Sequence, residues 1–510
     1  MTTQNGDPDQ PAASVAANET MPGSMFLFAL CLYWLTNSGF DTSEGLFHYQ
    51  IASHIVETGE LGFDQPMPGI FTVAPNGRTY GSHEFGNSLL LIPTAALNHV
   101  LGHVLTRLAL APEKIARLQQ FVLSFQANVY SALTLLFLYL MLVEEFGLTG
   151  RQAFAGCVVL GTCTFYWTYS RNLFDGVLCS LLLTAALRYL LRFQREGKTM
   201  DALAAFGILG FAVDTRLSMA LPVVVSLGFV TLFCTGRRLR ALISAGIALA
   251  PFAAWQLWYN QLRTGNPLVS PVQTLQYAEN NALDGDLANG LLGLLFSPGK
   301  SVFVYAPVLL LSLAAIPKLW RKHRPAAAFI VALAVIWLLL HAKLRSWYGA
   351  WGWGPRHFVT LLPILAIPAL VFIPSVWSRR SGKAILIPLA AGGFILALAS
   401  LISNWHYRME LRNRSDPAGL ESFEWSFSQN QAADMLIGSL DNIKVVLGIG
   451  EPSNVPAASD LNNYASNRIN MWWYILPNAG VPRTAVAAAV CALLLGLVVA
   501  ARRVGRWRGT

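Results

Sequence analysis

Charge is what this chain has least of. Only 12% of its 510 residues are Asp, Glu, Lys or Arg, while 54% are hydrophobic. A soluble domain carries about twice that charge, so water is not the main solvent of this fold. The first twenty or so residues lack the basic stretch that opens a cleaved secretory signal, and residues 1–23 read as a disordered cytoplasmic tail. The six cysteines, Cys31, Cys157, Cys163, Cys179, Cys234 and Cys491, all fall inside apolar segments. None is placed for a disulfide between loops or for a thiolate metal cluster. No internal repeat is visible, which weighs against transporter folds built from duplicated halves.

What is abundant is the long apolar run. Residues 121–143, 173–191, 241–259, 302–317, 325–341, 357–376, 384–403 and 484–501 are each long enough to cross most or all of a hydrocarbon core of roughly 30 Å. In lipid such segments must be helical, because an open strand leaves its backbone polar groups unpaired. With further runs at 24–40, 153–169, 203–213 and 217–235, the expectation is an all-α polytopic membrane protein of about twelve transmembrane helices. The net charge of +9 is gathered at helix ends, as in Arg237, Arg238 and Arg240, or Arg502, Arg503, Arg506 and Arg508. That is the positive-inside pattern of short cytoplasmic loops and argues against nucleic acid as a partner. Fixing these clusters inside leaves residues 41–111 as a first outer loop, provided that 86–111 lies in the outer interface instead of crossing. Residues 24–403 then form the transmembrane module, 404–483 an outer segment, and 484–510 a last span with a basic tail.

Ionisable residues near membrane depth are costly and default to functional candidates. Those on the outer side are Asp41, Glu44, His48, Tyr80, His83, Glu84, Asp175, Asp214, Arg216, Arg345 and Arg356. Taken singly, each reads first as a snorkelling interfacial residue or a buried ion pair; their shared side is what points to a site. SWYGAWGWGPRH adds Trp347, Trp351 and Trp353 among glycines, either an interfacial aromatic belt or a platform for a sugar or lipid headgroup.

The run EGLFHYQIASHIVETG resembles the first outer loop of the GT-C superfamily of integral membrane glycosyltransferases, above all family 39, which holds the protein mannosyltransferases and the lipid A aminoarabinose transferases. Glu44 precedes Ala52 by eight positions and Gly59 by fifteen, the rhythm of the family's catalytic carboxylate segment. NGRTYGSHEFGNSLLLIP, ARLQQFVLSF, FGLTGRQA, YNQLRTGNPL, LFSPGKSVFVYAPVLLL and WGWGPRHFVTLLP follow in the family's order, over roughly residues 25–400. The resemblance implies a GT-C-like bundle with interfacial helices in the first outer loop. It implies inverting transfer of a sugar from a polyprenyl-phosphate donor to a glycan, lipid or protein hydroxyl. Glu44 would be the base, held by His48 or His83, with Asp41 as second candidate and Asp175 as orienting carboxylate. The phosphate clamp would comprise Arg216, Arg345 and Arg356, with Arg117 and Lys300 as lesser members, and Tyr80 and the three tryptophans would serve substrate binding. Related enzymes differ in their use of a divalent cation, and no ligand spacing here decides it. The expected location is a bacterial inner membrane, with the site facing the periplasm or exterior. A flippase or transporter of a lipid-linked or anionic solute, an O-antigen ligase or polymerase, and a non-catalytic scaffold are the competing readings. A transporter predicts charges at mid-bilayer depth in several helices, whereas here most lie at helix ends. Segment 404–483 is either a cover that helps choose the acceptor or a plain connector.

Overall fold

The computed structural model describes residues 12–40, 43–271, 282–349, 352–405, 408, 425–427, 430–449, 469–478 and 481–506. Its fold is that of a polytopic α-helical membrane protein. Among the described residues, seven helices are long and apolar enough to cross a membrane by length and composition, and five apolar helices are shorter. Asp175–Glu196 is the enclosed centre of the bundle, with 83% of its apolar window buried, whereas Arg483–Val504 is peripheral at 11%. That last helix packs against the first, Ala12–Leu35, so the two ends of the chain close the bundle together. The first helix thus begins inside the stretch expected as a disordered tail. Leu239, Ile243 and Ile247 stand exposed along Arg238–Thr264, which suits contact with acyl chains.

Every expected span coincides with helix, but several are interrupted, and two of the interruptions meet. The 153–169 run forms Gly150–Thr162 and Tyr166–Tyr169, and the 302–317 run forms Val302–Tyr305 and Leu309–Lys322. The breaks answer each other: the Phe165 amide donates to the Tyr305 carbonyl at 3.1 Å, and Thr164 Oγ1 donates to the Leu160 carbonyl at 2.7 Å. Interrupted helices survive in a membrane only where neighbours satisfy the freed backbone in this way. Gly86–Arg107, expected to be interfacial, is itself long and apolar enough to cross, and it carries the amphipathic Gly45–Thr58 helix on one side.

The segment between the first helix and Gly86–Arg107 also contains structure that hydropathy does not announce. Phe71–Val73 pairs antiparallel with Thr79–Gly81 around the Asn76-Gly77 turn, where Gly77 takes a φ of +81°. Arg263, almost fully buried near the end of Arg238–Thr264, clasps the following strand end. Its Nη1 donates to the carbonyls of Gly81, Ser82 and His83 at 3.1, 3.1 and 2.8 Å, and its guanidinium lies 4.0 Å from the Tyr259 ring centroid. Arg263→Met strands three buried acceptors and should cost on the order of 3 kcal/mol. Arg263→Lys should recover part of this, since an ammonium lacks the planar fork. Unfolding of the detergent-purified variants checks the order; a Met variant as stable as wild type contradicts it.

The segment after residue 403 is partly helical and is tied into the bundle. Gln431–Val446 packs on Arg380–Ile402, with Ser439 Oγ donating to the Ala399 carbonyl at 2.6 Å. Trp472 and Trp473 donate their indole N–H groups to the carbonyls of Trp34 and Leu35 at 2.6 and 2.8 Å. Two tryptophans thus cap the C-terminal end of the first helix, whose last carbonyls have no partner inside it.

Candidate active site

At one end of the bundle the chain forms a cavity of about 430 Å³. Its polar wall is drawn from segments far apart in sequence: Glu44, His83 and Glu84 from between the first helix and Gly86–Arg107, Asp175 at a helix start, Arg216, His341, and Arg356 with His357. Leu221, Leu283, Leu340 and Val359 supply apolar surface. The cavity therefore combines acids, cations and a greasy wall.

Asp175 is buried in the first turn of its helix, where the helix dipole favours negative charge. Asn87 Nδ2 donates to its Oδ1 at 2.7 Å, and His48 Nε2 lies 3.2 Å from the same oxygen, an ion-pair distance without hydrogen-bond alignment. On its other side, His48 Nδ1 sits 3.0 Å from Ser88 Oγ. Burial works to lower the His48 pKa, but the Asp175 charge and contact, followed by Glu44 and Glu84, outweigh it and hold the imidazole above its ordinary value. A raised folded-state pKa gives stability that is complete below the unfolded value of about 6.5 and is lost as pH rises through the folded value. Wild type should therefore melt at progressively lower temperature as pH climbs above about 6.5, and His48→Asn should lack this slope. Equal slopes in the two proteins contradict the pairing.

Glu44 closes the N-terminal end of Gly45–Thr58 and is partly open to the cavity, with 25% of its side chain exposed. Its Oε1 faces Arg356 Nη1 at a long 3.4 Å, and the Arg356 guanidinium lies 5.9 Å from the Phe174 ring centroid. The glycines before Arg356 make its room: a Cβ on Gly352 would fall 2.2 Å from Arg356 Cδ. Gln431 then fixes this loop through both ends of its amide, accepting from Gly354 N at 3.0 Å and donating to the Gly352 carbonyl at 3.1 Å. Lys300 Nζ donates to that carbonyl too, at 2.8 Å. Arg216 also lines the cavity, and among the described residues its side chain makes no hydrogen bond or ion pair.

The expected site residues thus divide. Glu44, Asp175, His83, Arg216 and Arg356 line one cavity, and His48 touches Asp175 from behind. His48, expected as a group that holds Glu44, instead meets Asp175, because the pitch of Gly45–Thr58 turns it toward the Asp175 helix, and Arg356 faces Glu44. Arg345 is outside, half-exposed and ion-paired to Asp284. Arg117 lies on Pro112–Ser124, away from the cavity, and Lys300 supports the glycine loop from its buried side. Tyr80 is buried in the hairpin, where its hydroxyl accepts from Asn76 Nδ2 at 3.0 Å. Trp347 and Trp353 are buried core residues and form no platform: Gly293 leaves space for the Trp347 ring, and Trp353 packs edge-on to Tyr305 at 4.9 Å. Asp41 and Trp351 lie outside the described residues.

Three participants escaped the sequence reading. His341 and His357 line the cavity with ring centroids 4.6 Å apart, and both nitrogens of buried His357 lack a hydrogen-bond partner among the described residues. Gln431, 75 residues beyond Arg356 in the chain, gave no signal in hydropathy or motif. Among the described residues, no group of three or more His, Cys, Asp or Glu side chains is arranged to hold a metal ion, so the donor set does not fit one.

No family model and no curated protein sequence matches the chain. Among solved structures it is similar to ArnT from Cupriavidus metallidurans bound to undecaprenyl phosphate, with TM-score 0.48 and 16% identity, covering 97% of this chain and 77% of that one. It is similar also to ArnT from the same organism in the apo state, with TM-score 0.48 and 13% identity, covering 97% and 78%. A likeness this distant assigns no activity; the chemistry is read from the cavity.

Proposed function

We propose that the protein is a membrane glycosyltransferase that moves a sugar from a polyprenyl-phosphate donor to an acceptor hydroxyl, with inversion, at the outer face of the membrane. The observation that carries this reading is one cavity joining a partly open carboxylate, Glu44, to two arginines, Arg356 and Arg216, beside an apolar wall. The phosphate of the donor fits between the guanidinium groups, which match phosphate oxygens as planar forks. Its prenyl chain leaves along the apolar side. Glu44 takes the acceptor proton as the acceptor oxygen attacks the anomeric carbon. The bond from that carbon to the phosphate oxygen breaks, and its electron pair departs with polyprenyl phosphate, whose charge Arg216 and Arg356 stabilise. Asp175, held by Asn87 and His48, orients the acceptor hydroxyl from the rear of the cavity. Segment 404–483 takes part by holding the Arg356 loop through Gln431, and we assign it a share in acceptor choice.

The test is transfer by the purified protein from a panel of radiolabelled polyprenyl-phosphate sugars, with membrane extract as acceptor. Sugar in the acceptor fraction, with the product anomer opposite to the donor's, supports the reading. Absence of transfer from every donor by folded protein that binds the labelled lipid overturns it.

A further inference from the structure

A second cavity lies away from the site, among the Leu309–Lys322, Leu362–Trp377 and Arg380–Ile402 helices. It has a volume of about 320 Å³, an apolar wall that includes Leu311, Ala315, Phe372 and Ile385, and a basic end formed by Lys318 and Arg379. Lys318 Nζ stands 4.3 Å from the centroid of the Phe372 ring, so a cation–π contact steadies the ammonium at the mouth. Gly382 allows the Arg380–Ile402 helix to start hard against the preceding one: a Cβ there would fall 1.9 Å from the Val376 carbonyl oxygen. That tight reversal brings Arg379 to the same opening as Lys318. No carboxylate lines the groove. None is near in sequence either, since no Asp or Glu occurs between Asp286 and Glu410, whereas twelve Lys and Arg do.

We propose that this groove binds an anionic phospholipid, with its phosphate between Lys318 and Arg379 and an acyl chain along the apolar wall. The geometry separates this occupant from others. A free anion would gain nothing from the apolar wall. A zwitterionic lipid would bring its ammonium to an end that has two cations and no acid. Basic pockets between membrane helices at headgroup level are suited to anionic lipids, each cation near the surface contributing attraction. The site is independent of the proposed transfer chemistry and of the first cavity.

The experiment is native mass spectrometry of the full-length protein ejected from nanodiscs of phosphatidylcholine mixed with phosphatidylglycerol, counting each lipid retained. Wild type should retain phosphatidylglycerol selectively. The double variant Lys318→Gln with Arg379→Gln should reduce that retention about tenfold, while Arg502→Gln with Arg503→Gln, an exposed basic pair on the last helix, should leave it unchanged. Ala314→Trp, which narrows the groove with both charges intact, should also expel the lipid. Equal losses in the two charge variants would mean diffuse attraction and overturn the site. So would wild type that retains both lipids alike, or Ala314→Trp protein that retains phosphatidylglycerol as well as wild type.

Discussion

Glu44→Gln is expected to lower turnover by about 10²- to 10⁴-fold, the usual value of a positioned general base. The amide keeps the size of the side chain and a polar contact toward Arg356, so donor binding and thermal stability should change little. The loss should therefore fall in kcat, with the KM for donor nearly constant. The expectation follows from position: of the three carboxylates that line the cavity, Glu84 and Asp175 are buried and Glu44 is the one open to it, and its 3.4 Å contact with Arg356 is loose enough to yield to substrate. Asp175 is buried and engaged by Asn87 and His48, which suits orientation better than proton transfer. A Glu44→Gln protein with wild-type turnover, alongside an inert Asp41→Asn protein, would keep the reaction class and move the base to Asp41.

Arg216→Ala is expected to act on the donor phosphate. A hydrogen bond to a charged group is worth roughly 1.5–3 kcal/mol, and 1.4 kcal/mol is a factor of ten. Affinity for polyprenyl phosphate should thus fall on the order of 10- to 100-fold. Folding should be unaffected, because among the described residues the wild-type side chain has no hydrogen bond or ion pair to lose. Arg345→Ala is the contrast, since its guanidinium pairs with Asp284 in an exposed loop and should leave donor affinity alone. Equal weakening by the two substitutions, measured by titration with a fluorescent polyprenyl phosphate, would mean a general surface field instead of a clamp.

These residues show how far the sequence could be read. Membrane spans were legible because burial in lipid imposes a length and a composition that no other constraint imitates. The breaks at 163–165 and 306–308 were not, because a span interrupted by one turn keeps its hydropathy while losing its helix. Charge at helix ends suggested a shared side of the membrane, and Glu44, Asp175, Arg216 and Arg356 line one cavity. A shared side is not a place, however: Arg345 was expected with them and is neutralised instead by Asp284, a partner whose nearness depends on loop packing. The tryptophans of SWYGAWGWGPRH invited a surface reading, yet the glycines between them serve Arg356, and Trp347 and Trp353 turn inward. The Asn-Gly turn at 76–77 was a local hairpin signal available in the sequence and outweighed by the search for helices. His341, His357 and Gln431 are brought in by tertiary contact alone, and nothing local marks them.

The most direct measurement uses a donor labelled separately in its sugar and in its lipid, presented to the protein in sealed vesicles with acceptor on one side. The account predicts that the labels part company: sugar appears in the acceptor while an equal amount of polyprenyl phosphate is released, and Glu44→Gln suppresses both together. Labels that stay joined while the intact lipid reaches the other leaflet would contradict it and make the protein a carrier.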